Sequence, residues 1–120
     1  MNAAGVADAR SRLREFALSF PGAWEDFPWG ESVVKVGRKV FVFLGSERSE
    51  RPMITVKLDE SHGHALSIAG AERTAYGLGR SGWVNVPLDT EAAPLELVRD
   101  LIEESYRIVA PKRLLGELDP

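Results

Sequence analysis

The chain has 120 residues, 44% of them apolar, which is enough to bury one core, so one domain spanning 1–120 is expected. It holds no cysteine, which excludes a disulfide framework, a zinc–thiolate site and a thiol nucleophile. Eighteen acidic against fifteen basic residues give a net charge of −3, so any polyanion binding has to come from a local patch rather than from a global field.

The N-terminal "MNAAGVADARSRLREF" carries charges where a signal peptide would have its apolar core, and no apolar run approaches the roughly 18 to 20 residues that span a bilayer. A cytoplasmic protein is therefore expected. Asp8 is placed to cap a helix running to about Ser19, with Leu13, Phe16, Ala17 and Phe20 at helical spacing, and Pro21-Gly22 stops it. The segment "PGAWEDFPWGE" reads as turn-rich. "SVVKVG" and "KVFVFLG" are strands joined by a tight hairpin at Gly37-Arg38. After the polar loop "SERSERP", "MITVKL" alternates as a third strand.

Asp59 to Arg73 reads as a loop entering a short helix, with Asp59 or Ser61 as its cap. "YGLGRSG" then leads into "WVNVPL", a strand that Pro87 puts at an edge or brings to an end. Pro94 to about Val109 is the clearest helix, with Leu95, Val98, Leu101, Ile102 and Val109 on one face, and the tail "PKRLLGELDP" suggests one more helical turn. This order predicts an α+β two-layer sandwich, an antiparallel β-sheet with helices packed on one face.

Gly77, Gly79 and Gly82 have the spacing of a dinucleotide-binding loop, but that loop needs a helix after it to point N–H groups at a pyrophosphate, and an alternating strand follows instead. His62-Gly63-His64 beside Asp59 and Glu60 has metal-ligand residue types, with a polar loop before a helix as the plainer reading. Glu25 and Asp26 are adjacent, so in an extended segment they point apart and do not form an acid/base pair. No Ser-His-Asp arrangement can be drawn, and nothing implies a cofactor, a metal or a catalytic residue.

Strand alternation turns Val34, Val36, Ile54, Val56, Leu58, Val84 and Val86 toward the helices and Lys35, Thr55, Lys57, Trp83 and Asn85 away from them. A face mixing cations, hydrogen-bonding groups and an indole has the composition used to bind single strands, and also that of an ordinary solvated face.

Taken together, "PGAWEDFPWG", "KVGRKVFVFL", "TVKL", "YGLGRSGWVNVPL" and "LIEESYRIVAPKRL" resemble the MmcQ/YjbR-like family over about Leu13 to Leu115. The resemblance implies a small α+β domain similar to the type III secretion chaperone-like fold, DNA binding with a winged arrangement, and no established enzymatic activity or cofactor. Carried over by position, the implied nucleic-acid contacts are Lys35, Arg38, Lys39, Lys57, Arg80 and Trp83. Relatives often have several basic residues before the late tryptophan, where this chain has Arg80 alone. A protein partner received by the exposed sheet and aromatics is the alternative, or a small-molecule-binding protein; a monomer is expected in either case.

Overall fold

The structure, a computed structural model, describes residues 3–46, 51–75, 78–88 and 91–120. Its elements are α1 (Ala3–Leu18), β1 (Ala23–Asp26), β2 (Ser32–Val36), β3 (Lys39–Gly45), β4 (Met53–Lys57), α2 (His62–Leu66), β5 (Glu72–Arg73), β6 (Trp83–Pro87), α3 (Leu95–Val109) and α4 (Lys112–Leu118), with tight helical turns at Pro28–Gly30 and Leu78–Ser81. The strands form one six-stranded antiparallel sheet in the order β1-β2-β3-β4-β6-β5. Helices α1 and α3 pack against each other and against one face of it. This is the expected α+β sandwich.

Two cross-strand rows show how alternation sorts the side chains. Glu25, Val34, Val42, Val56, Val84 and Arg73 are paired in succession across the sheet, and the four valines are fully buried under the helices. The neighbouring row, Asp26, Val33, Phe43, Thr55, Asn85 and Glu72, faces the other way. Register shifts between β2 and β3 leave Phe41 out of the pairing. Its ring meets Phe20 and Tyr106 edge-on, in the core between sheet and helices.

Helix α3 supplies two polar clamps from adjacent residues. The fully buried Ser105 hydroxyl donates to the Phe41 carbonyl and accepts the Lys57 N–H at 2.9 Å, joining β3 to β4 beyond the last paired residues Val42 and Val56. The Tyr106 hydroxyl donates to the Pro21 carbonyl at 2.7 Å, while its ring stacks on Phe20 at 4.6 Å. Gly22, at φ +72°, lies so close to Leu114 that a Cβ there would come within 2.9 Å of it, so the Pro21-Gly22 turn doubles as the seat of α4.

Several expectations are corrected. Helix α1 begins at Ala3 rather than Asp8, because Val6 and Ala9 extend its buried face, and Asp8 instead pairs with Arg12 one turn on at 2.9 Å. The turn-rich segment contains the edge strand β1, and the loop after α2 contains the two-residue β5. Pro87 ends β6, but that strand is interior, flanked by β4 and β5. Neither Asp59 nor Ser61 caps α2 through its side chain; Glu104 of α3 accepts the N–H groups of Asp59 and Ser61, at 2.8 and 3.2 Å. Burial raises the Glu104 carboxyl, and the Ser61 hydroxyl and these two N–H groups more than offset it, leaving its pKa lowered.

Candidate functional site

Antiparallel pairing brings the β2–β3 turn, the end of β4 and the start of β6 to one end of the sheet. Gly37, at φ +61°, makes the turn that exposes Arg38 and Lys39. At the end of β4, Leu58 donates its N–H to the Gly82 carbonyl at 2.9 Å. Gly82 has φ +92°, and a Cβ there would meet the Leu58 carbonyl oxygen at 2.5 Å, so only glycine allows this approach. The last glycine of the apparent dinucleotide spacing thus serves a backbone crossing, with strand β6 directly after it; Gly77 lies outside the described residues.

Around that crossing is a groove of about 600 Å³. Lys57, Arg73 and Arg80 border it with His62, opposite Asp59 and the half-exposed apolar wall of Ile108. Lys57 comes from β4, Arg73 from β5 and Arg80 from the turn before β6. Arg38, Lys39, Lys57, Arg73 and Arg80 enter no ion pair among the described residues. Several acids are engaged elsewhere: Glu25 with Arg14, Asp26 with Lys35, and Glu103 and Asp119 with Arg107. Asp59 lies on the groove itself, and Glu60 and Glu104 line the adjoining depression, so these cations face some acidic charge at close range. The unpaired N–H donors of three cations at one groove are suited to phosphate oxygens.

The six residues expected from the resemblance divide into four sets. Lys57 and Arg80 meet at the groove, and Arg38 and Lys39 are exposed at the neighbouring hairpin. Lys35 is committed elsewhere, with its ammonium 2.7 Å from Asp26 and 5.2 Å from the centre of the Trp24 ring. Trp83 belongs to the open face, but only 9% of it is exposed and its ring lies edge-on to Phe43 at 5.3 Å. It fills that face and offers no free stacking platform. The residue not foreseen is Arg73; its sole sequence signal was a positive charge at the end of an irregular stretch.

Glu25 and Asp26 point to opposite faces as expected. Glu25 accepts two bonds from Arg14 Nε at 2.9 Å, one from Nη2 at 2.6 Å and one from the Ser32 hydroxyl at 2.6 Å. The Arg14 bonds hold its pKa below the ordinary range despite partial burial. Asp26 is lowered first by Lys35 and then by the Phe27 N–H. Both carboxylates are fixed as anions in structural contacts. His62 borders the groove and His64 sits in the last turn of α2; no group of three or more His, Asp or Glu side chains converges among the described residues.

A model of the YjbR family matches residues 18–108, about three-quarters of the chain. The chain belongs to the YjbR family. Comparison with curated proteins finds no match, so the comparisons assign the chain no reaction. Of the resemblance-bearing residues, Pro21, Gly22, Trp83, Ser105 and Tyr106 have packing or backbone-bonding roles in this YjbR domain, whereas Trp29 is 97% exposed. The groove cations Lys57, Arg73 and Arg80 also fall within the matched span, whereas most of α1 and all of α4 fall outside it. No described helix is long and apolar enough to cross a membrane.

Proposed function

We propose that this YjbR domain is a monomeric, cytoplasmic nucleic-acid-binding module that holds DNA by its phosphate backbone at the Lys57–Arg73–Arg80 groove. The observation that supports this is the convergence of three cations without ion-pair partners on one groove. Arg38 and Lys39 extend the positive surface along the hairpin. The indole that would have stacked a base is covered, so the reading is of phosphate contacts with little sequence discrimination. Fluorescence anisotropy with labelled DNA at low salt tests it. Arg73→Ala and Arg80→Ala should each weaken binding about equally for unrelated sequences, while Lys35→Ala, whose charge Asp26 already holds, stays near wild type. Equal losses in all three variants would count against the groove.

A second reading is supported by a different observation. Trp24, Phe27 and Trp29 are 43%, 58% and 97% exposed along the edge strand β1 and the turn after it. Large exposed aromatics beside an open strand edge suit a protein segment added to the sheet. A photo-crosslinking residue at position 29 should then trap a defined partner in cells, and a pattern of adducts no different from that of an exposed position on α4 would remove this reading.

A further inference from the structure

The open face of the sheet holds a second cavity, of about 250 Å³, toward the opposite end of β4 from the phosphate groove. Phe43, Met53, Thr55 and Asn85 line it from three neighbouring strands, with Thr74 beside them and Arg10 coming from α1. Arg10 is only 8% exposed. Its Nε donates to the Leu44 carbonyl at 2.9 Å, and it forms no ion pair and no other hydrogen bond among the described residues. Its remaining guanidinium N–H groups are not buried away from solvent, so they are available at the cavity that Arg10 lines, where a planar donor pair suits a carboxylate.

Asn85 supplies the second recognition group. Its Oδ1 accepts the Thr55 hydroxyl at 2.8 Å and the Thr74 hydroxyl at 2.9 Å. With the oxygen held by two donors, the amide N–H groups, which have no partner among the described residues, are what Asn85 can offer a ligand. Both unpartnered groups are thus donors, and Phe43 and Met53 provide apolar surface beside them. We propose that this cavity binds a small carboxylic acid, its carboxylate held by Arg10 and the Asn85 amide and its apolar body resting on Phe43 and Met53. Glu31 and Arg51 also line the cavity, one charge of each sign beside Arg10, a balance that suits a monoanion better than a dianion such as phosphate. The volume lies below that of pockets for drug-sized ligands, which points to an acid of roughly amino-acid size.

The probes are benzoate, its neutral counterpart benzamide, and inorganic phosphate, titrated into the full chain while backbone and Asn side-chain amide NMR signals are followed. Benzoate should shift Thr55, Thr74 and Asn85 saturably with a dissociation constant on the order of 1 mM, and benzamide should bind at least about tenfold more weakly. Asn85→Asp keeps the oxygen that the threonines bond and replaces the N–H groups by negative charge, so it should cost benzoate at least about tenfold. Absence of a saturable benzoate shift, equal binding of benzamide, or tighter binding of phosphate at these residues would overturn the proposal. Unchanged benzoate affinity in Asn85→Asp would do so as well. Should that variant not fold, the benzoate–benzamide comparison on the wild-type chain decides alone.

Discussion

Ser105 occupies a place where most helices would carry an apolar residue, and its hydroxyl joins two strands whose own pairing has stopped. Replacing it by alanine leaves the buried Phe41 carbonyl and the Lys57 N–H each short of a partner, and Ser105→Ala should lose about 1–3 kcal/mol in urea denaturation. A change no larger than at an exposed α3 position would show that water replaces the hydroxyl. Trp29 gives the opposite case. It is nearly fully exposed and adopts φ +57°, a conformation costing a side-chain-bearing residue about 1–2 kcal/mol. Trp29→Gly should therefore leave the unfolding midpoint unchanged or raise it. A clear loss would mean that the ring buries surface after all. A residue that strains the fold while contributing little to it fits the edge aromatics as a contact surface better than as packing.

At the scale of elements, what was legible depended on whether a segment carries its own pattern. β2, β3, β4, β6 and α3 were legible because alternating or helically spaced apolar residues face one core, whereas β1 and β5 carry the sequences "AWED" and "ER", whose pairing is dictated by their neighbours. That difference also explains the site. Lys57 lies on a patterned strand and Arg80 was carried over from the family resemblance, but Arg73 reaches the groove only because β5 pairs with β6. The edge strand β1 is tied to α1 by Arg14–Glu25, which makes a pH prediction possible. Glu25 has a folded pKa below its ordinary 4.5, so its contribution is fully present above that value and is lost as pH falls through the lower folded pKa. The denaturant midpoint of the wild type should drop as pH falls below about 4.5, and Glu25→Gln should be less stable at neutral pH with a shallower acid limb. An identical limb in the variant would assign acid sensitivity to other carboxylates.

For the whole molecule, the net charge is −3, and Lys57, Arg73 and Arg80 are gathered on one groove that also carries Asp59. If the groove binds DNA as proposed, long-range repulsion by the net negative charge should make the affinity modest and strongly screened. The dependence of DNA affinity on salt, compared between wild type and the Lys57→Ala/Arg73→Ala/Arg80→Ala variant, tests the groove most directly. Three phosphate contacts at the groove predict that the slope of log K against log salt is shallower by about 2 to 3 in the variant than in the wild type, with much weaker binding left to Arg38 and Lys39. No wild-type binding at low salt, or a variant that keeps the wild-type slope, would contradict the groove as the site.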